Sequence, residues 1–343
     1  MQFAVLVHPR DMEQARCFYP WLRRVPDSVI ARFLPCLPLL TIGNINVQPG
    51  IKGAIIACPL LMLHFEQLAP DFIWRKIIAG IKKAGKRGAI AVGLEGRTAC
   101  LTEAGAMEDD FPGLAISIGA RIRIHALING ARSTAAELGL RWNRTEIVLA
   151  GALGQEGRIW AQILAAQAGT LTLLHTEAGK DQRFISKIVY ETGLAPKIST
   201  DFQQTLGRAD IVFFHHLKPE NKKIFRFFKP GALVVSIIPE NGWQDIQNYR
   251  KDIKYLENLL FEPLPTITWS GYGDFTKGFS AAIVETILII LEKSQEFFCP
   301  GQEITINQVK LTEELMSKYG FRLMNKSAYN NHKGSRGLST VYP

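Results

Sequence analysis

In this chain of 343 residues, the stretch 146–238 constrains the fold most, because short apolar runs alternate there with segments of helical spacing. Runs at 147–150, 171–174, 211–214 and 233–238 read as strands, and 157–168, 181–191 and 219–228 read as the helices between them. Successive strands separated by helices are joined by crossovers, which makes the sheet parallel and buries it on both faces. The expected class is α/β, a doubly wound parallel sheet of the Rossmann type.

The first strand of this stretch runs into Gly151-Ala-Leu-Gly154-Gln-Glu-Gly157, which opens the helix carrying Ile159, Trp160, Ile163 and Leu164. Glycines at these three places permit a tight turn, a close approach of backbone N–H groups to a pyrophosphate, and close packing of helix on strand. Arg158 follows and can add a charge-assisted contact. Glu177, past the second strand, suits the hydroxyls of an adenosine ribose and favours NAD over NADP. Lys180 and Arg183 offer the competing reading, a grip on a 2′-phosphate, so both NAD and NADP stay open. Ser236, with Pro239 and Glu240, ends a later strand on the expected nicotinamide side.

A second α/β pattern precedes this one. Phe3 to Val7 reads as a first strand, with further strands at 54–57, 89–94 and 115–118, and an amphipathic helix follows Pro70. The piece around Gly43, Asn44, Asn46, Pro49 and Gly50 reads as a loop. A long helix from Ile122 to Leu138 leads toward the second pattern. The expected organisation is an N-terminal α/β domain over 1–142, a dinucleotide-binding domain over 143–275, C-terminal helices over 276–322 that return to the first domain, and a disordered tail over 325–343.

Composition excludes some classes. Five cysteines, odd in number and without a C-x-x-C pair, give neither a disulfide framework nor a zinc site, and no metal is expected. The N-terminus has no basic region of a signal peptide, and the apolar run 279–291 falls short of the roughly 20 residues that span a bilayer. The expected location is cytoplasmic. The net charge of +9 comes without a nucleic-acid-binding motif, so nucleic acid is not expected as a partner.

Several further side chains are chemical candidates. His215, next to His216, follows a strand at the carboxyl edge of the sheet, where a proton donor can reach a bound cofactor; an ordinary loop histidine is the alternative. His8 and Cys58 each close a strand and suit a structural role. Cys100 lies just after Arg97 in a glycine-rich turn, the place for a reactive thiol if the chain has one.

The N-terminal Phe-Ala-Val-Leu-Val-His-Pro-Arg-Asp with Tyr19-Pro-Trp-Leu-Arg-Arg-Val-Pro26, Cys58-Pro-Leu, Val92-Gly-Leu, the glycine turn, Glu285-Thr-Ile-Leu-Ile-Ile-Leu-Glu292, Gln302-Glu-Ile-Thr305 and Tyr319-Gly-Phe321 together point to a family. Over nearly the whole chain, to about residue 322, they resemble the long-chain acyl-[acyl-carrier-protein] reductases and their bacterial shikimate or amino acid dehydrogenase-like relatives. The resemblance implies reduction of an acyl thioester to an aldehyde through a cysteine-bound acyl group, with hydride from NADPH. This chain departs from the pattern where the chemistry is done. Ala282 stands in the place of the family's nucleophilic cysteine, Ile118-Gly119-Ala120 in the place of its Thr-Gly-Asn turn, and His175-Thr176-Glu177 where a basic residue is expected. A methyl group cannot attack a thioester. Ser280, His125 and Cys100 are the polar residues that can take over near that position.

Two functions follow as expectations. One is an NAD(P)-dependent oxidoreductase acting on a carbonyl or acyl-derived small-molecule or carrier-bound substrate. The other is a diverged, non-catalytic relative that binds nucleotide or an acidic carrier protein. Much of the positive charge lies at Arg16, Arg23, Arg24, Arg32, Arg75, Lys76, Lys82, Lys83, Lys86 and Arg87, which reads either as solvated helix faces or as a docking face for that carrier.

Overall fold

The computed structural model of the chain describes residues 1–48, 50–100, 111–151, 155–175, 182–215, 222–237, 246–257, 259–271, 278–293 and 304–324. The chain divides into two compact units. One combines Met1–Ile122, Leu260–Gln302 and Glu314–Pro343, and the other Arg123–Leu259 with Glu303–Glu313. In chain order the strands are β1 (Phe3–Val7), β2 (Leu40–Gln48), β3 (Ile51–Ala57), β4 (Ala91–Leu94), β5 (Ala115–Ser117), β6 (Glu146–Ala150), β7 (Thr170–Leu174), β8 (Lys197–Ser199), β9 (Ile211–Phe214), β10 (Leu233–Ser236), β11 (Lys254–Leu256) and β12 (Thr268–Gly271).

The first unit holds a six-stranded sheet in the order β12-β2-β3-β1-β4-β5. Its strands β3, β1, β4 and β5 are parallel, while β2 and β12 add an antiparallel edge. The period-2 alternation of a strand splits the core into two faces. Ala4, Leu6, Val92 and Leu94 pack with Ile73, Ile77 and Ile81 of the helix Pro70–Lys86. Gly93, between Val92 and Leu94, faces the helix Ala281–Glu292 instead: a β-carbon on it would lie 2.4 Å from Thr286 Oγ1. That helix is buried from Ala282 to Ile290, including Glu285.

The segment read as a loop around Gly43 and Asn44 is strand β2. Its Ile45 and Val47 are buried and Asn44 is exposed, so apolar residues alternate with Asn44 and Asn46 along a strand paired antiparallel with β3. Asparagine and glycine marked a turn in the sequence, but the inward pair buried by the neighbouring strand decides the conformation.

The second unit holds a six-stranded, wholly parallel sheet in the order β11-β10-β9-β6-β7-β8. Counted within the unit, this is the 3-2-1-4-5-6 order of the Rossmann fold. Trp160 on the helix Gln155–Ala165 is fully buried and its ring lies 5.6 Å from that of Phe213 on β9. The division between the units falls within the helix Ala120–Glu137, upstream of the boundary expected at 142. Its later turns pack within the second unit: Leu259 Cδ1 comes within 2.4 Å of where a β-carbon on Gly130 would be, and Arg132 bonds Gln167. The other boundary falls at Leu259, before the expected 275, because β12 belongs to the first sheet. The expected tail, 325–343, lies outside the described residues.

Candidate functional site

In an open parallel sheet, ligands bind beyond the carboxyl ends of the strands where the strand order reverses. In the second unit that point lies between β6 and β9. The chain leaves β6 at Gly151, whose φ of +91° is in the region glycine adopts without strain. Its N–H donates to the Leu174 carbonyl at 3.2 Å, holding the turn over the end of β7. Gly157 is buried on the following helix.

His215 follows β9, is almost fully buried, and donates its backbone N–H to Ala150 at 2.9 Å. Its Nδ1 lies 3.4 Å from the Gly151 carbonyl oxygen, a contact that only the Nδ1–H tautomer can use as a hydrogen bond. His175, also buried, follows β7, and Ser236 is buried at the end of β10. Arg158 is exposed, with its guanidinium 5.2 Å over the Phe184 ring. Arg183 is exposed on the helix Gln182–Thr192. Gly154, Glu177 and Lys180 lie outside the described residues. The described part of this edge fits a dinucleotide: a left-handed glycine at the strand exit, a buried glycine on the next helix, and polar side chains at the ends of β7, β9 and β10. Gly151, Gly157 and Ser236 are the described residues that would hold one, and its nicotinamide would supply or accept a hydride.

The first unit gathers a second set of polar groups, buried at the carboxyl ends of β1, β4 and β5 and at the start of the helix Ala281–Glu292. Ser280 caps that helix, its Oγ accepting the Ile283 N–H at 3.3 Å and donating to Glu95 Oε1. Burial pushes the Glu95 carboxyl up to about 7, against the Ser280 hydrogen bond and the Arg10 charge. One turn into the helix, Glu285 Oε2 accepts Ser117 Oγ at 2.6 Å and the Gly119 N–H at 3.0 Å, and Glu285 Oε1 lies 3.9 Å from Arg121 Nη1.

His8 accepts the Arg97 N–H on Nε2 at 3.1 Å, which leaves the proton on Nδ1 to reach the Pro9 carbonyl at 3.2 Å. Burial brings its pKa down to about 4; the Pro9 hydrogen bond opposes this, and the charges of Arg10 and Arg97 act with burial. His8 is thus a neutral, doubly bonded histidine that ties β1 to the turn after β4. The Cys58 thiol is buried and pushed up to about 12, which makes it inert at neutral pH.

Of the three residues named as stand-ins near Ala282, Ser280 lies two positions away, in the buried set around Glu95. His125 belongs to the second unit, 3.5 Å from Glu313 Oε2, with a pKa lowered by burial and raised by that carboxylate. Cys100 ends the helix Arg97–Cys100, and its side chain lies outside the described residues. Ala282 is buried, and its backbone nitrogen lies 2.4 Å from where a β-carbon on Gly119 would be.

Sequence reasoning did not mark Glu95, Ser117 or Arg121. The available signals were a carboxylate between glycines at a strand end, Gly93-Leu-Glu95-Gly96, and a second one, Glu285, inside an otherwise apolar helix. Among the described residues no three His, Cys, Asp or Glu side chains group to hold a metal, and no helix is long and apolar enough to cross a membrane.

No family model matches the chain. It is similar to the aminotransferase PigE of Serratia sp. (strain ATCC 39006), with 20% identity over 303 residues, which is 85% of this chain. The chain spans 35% of that protein's length, about a third. Among solved structures it is similar to L-tryptophan dehydrogenase from Nostoc punctiforme, with a TM-score of 0.39 and 12% identity over 97% of this chain and 90% of the other. It is also similar to shikimate 5-dehydrogenase from Listeria monocytogenes in complex with shikimate and NAD, with a TM-score of 0.34 and 9% identity over 92% of this chain and 96% of the other. Overlaps this loose transfer neither substrate nor residue roles.

Proposed function

We propose that the protein is an NAD(P)-dependent oxidoreductase acting on a carbonyl or acyl-derived compound, with the dinucleotide held at the turn after β6. The observation that supports this reading is the 3-2-1-4-5-6 strand order with Gly151 at its reversal point, at a φ of +91°. The nicotinamide supplies the hydride, and the protein supplies position and the proton. The resemblance to acyl-[acyl-carrier-protein] reductases supports an acyl-derived substrate, but Ala282 removes covalent catalysis at the family's position. A cytoplasmic location and, among the partners, an acidic carrier protein belong to this proposal.

A second reading rests on the same alanine. A chain that has lost its nucleophile and packs Ala282 against Gly119 can serve as a nucleotide-binding or carrier-binding relative without turnover. Calorimetric titration with NAD+, NADH, NADP+ and NADPH, followed by a reduced-nucleotide oxidation screen over aldehydes, ketones and acyl thioesters, separates the two. Binding with turnover supports the oxidoreductase. Binding without turnover of any member supports the second reading, and absence of binding contradicts the first.

A further inference from the structure

We propose that residues 16–36 of the first unit form a docking surface for an anionic lipid bilayer, with Trp21, Val29 and Phe33 entering the headgroup boundary and Arg23, Arg24 and Arg32 meeting lipid phosphates. This goes beyond the oxidoreductase reading and rests on none of it.

Exposure carries the assignment. Trp21, Val29 and Phe33 keep 54%, 41% and 56% of their surface in water, and among the described residues they are the large apolar side chains so exposed in the first unit. All three fall between positions 21 and 33. Single exposed apolar residues are ordinary, whereas a set confined to one short stretch marks a contact surface. The stretch is firmly backed, because Leu22, Ile30 and Leu34 are buried in one cluster with Phe18 and Tyr19. Val29 and Phe33, four apart on the helix Asp27–Phe33, share the flank next to Ile30 and Leu34. The Trp21 ring lies 5.4 Å from that of Tyr19, and Tyr19 Oη donates to the Pro38 carbonyl at 3.0 Å, which holds the tryptophan turn beside the chain that leaves Phe33.

Charge selects the occupant. Arg23, Arg24 and Arg32 are exposed, and the Arg32 guanidinium lies 5.9 Å over the Phe33 ring, so positive charge and apolar surface are presented together. Asp27 is the one acidic residue from 16 to 36, and it is held by Arg16, which also donates to the Val25 carbonyl at 2.9 Å. A second copy seated here across a two-fold axis would set these arginines against one another. An acidic protein matches the charge but must bring a shaped pocket for each exposed ring. A bilayer needs none: its phosphates lie just outside an apolar layer, tryptophan partitions to that boundary, and arginine buries its stem while its head stays with phosphate. The contact is peripheral, since no described helix is long and apolar enough to cross a membrane.

The full-length protein is floated with vesicles of phosphatidylcholine alone and with vesicles that also hold phosphatidylglycerol. Binding is expected to the anionic vesicles only, and it is expected to fall steeply with salt. The double variants Trp21→Ala/Phe33→Ala and Arg23→Glu/Arg24→Glu are each expected to lose roughly tenfold or more in partitioning, at an unchanged melting temperature because the altered side chains are exposed. Lys222→Glu/Lys223→Glu makes the same charge change on exposed lysines of the second unit and controls for attraction of the whole +9 chain. Its loss is expected to stay below about threefold. Absence of binding to anionic vesicles overturns the proposal, and so does binding that survives in both patch variants or falls equally in the lysine control. Retention on immobilised polyglutamate that the patch variants abolish, without vesicle binding, makes an acidic protein the occupant and overturns it too. A dimer in sedimentation that Trp21→Ala/Phe33→Ala dissolves, again without vesicle binding, does the same in favour of a second copy.

Discussion

Ser117 Oγ donates to Glu285 Oε2 at 2.6 Å, joining the end of β5 to the middle of an apolar helix 168 positions away. The Gly119 N–H donates to the same oxygen at 3.0 Å, while the other, Oε1, accepts no hydrogen bond among the described residues and faces Arg121 Nη1 at 3.9 Å, so a carboxylate with 1% of its surface exposed is hydrogen-bonded on one oxygen and meets a charge on the other. Removing one partner of such a set leaves the others buried and unbonded, which costs more than the set contributes as a whole.

Glu285→Ala should therefore lower the stability of the protein by about 3 kcal/mol, and Glu285→Gln, which keeps one acceptor, by less. Urea unfolding followed by tryptophan emission checks the order. Equal, small losses in both variants would mean that the ion pair with Arg121 has no weight.

Gly119→Ala should be among the most damaging single-methyl changes in the first unit. Gly119 has a φ of +70°, and a β-carbon there would meet Ala282 N at 2.4 Å and Ala281 C at 2.6 Å, both backbone atoms of a packed helix. Left-handed strain and a clash with backbone add to about 2–4 kcal/mol. A loss below about 1 kcal/mol in the same unfolding assay would show that the helix start yields.

Glu95 and His8 should impose opposite pH slopes on stability. The folded-state pKa of Glu95 is raised to about 7, so its contribution is present below its unfolded value of 4.5 and is lost as pH rises through 7. That of His8 is lowered to about 4, so its contribution is present above 6.5 and is lost as pH falls toward 4. The two nearly cancel between pH 4.5 and 6.5. Glu95→Gln unmasks the histidine: its stability should fall by about 2 kcal/mol from pH 6.5 to 4.5, while that of the unaltered protein stays nearly level. Parallel profiles would contradict this pairing.

The basic helix Pro70–Lys86 does not offer all its charges to a partner. Lys76 Nζ donates to the Leu37 carbonyl at 3.1 Å, Lys83 to that of Leu39, and Arg87 to Thr41 Oγ1 at 2.5 Å, whereas Lys82 is exposed. Lys83→Glu should cost about 1–2 kcal/mol of stability, and Lys82→Glu should stay within about 0.5 kcal/mol. A carrier protein that docks here should lose salt-sensitive affinity in Lys82→Glu at unchanged melting temperature. Equal melting temperatures for both variants would remove the structural role of Lys83.

The second unit was legible because its information is local. Four of its six strands announce themselves by periodicity, and the glycine turn sits at a fixed place after the first strand; β8 and β11, three residues each at the two edges of the sheet, are too short to do so. The first unit was half legible. β2 hides behind Gly43, Asn44 and Asn46, and β12 behind a stretch read as a connection, since both owe their conformation to the neighbouring strand. The buried polar set was not legible at all, apart from Ser280. Glu95 meets Ser280, and Ser117 meets Glu285, across 185 and 168 positions, about half of the chain, and no spacing rule reaches that far.

The central claim is that the turn after β6 holds a nicotinamide dinucleotide, and calorimetric titration of the intact protein with NADH and NADPH, alongside Gly151→Ala, tests it most directly. The account predicts saturable binding of at least one of them, weakened at least tenfold in Gly151→Ala while the circular dichroism of that variant stays native. Saturable binding of neither nucleotide to the unaltered protein would contradict it.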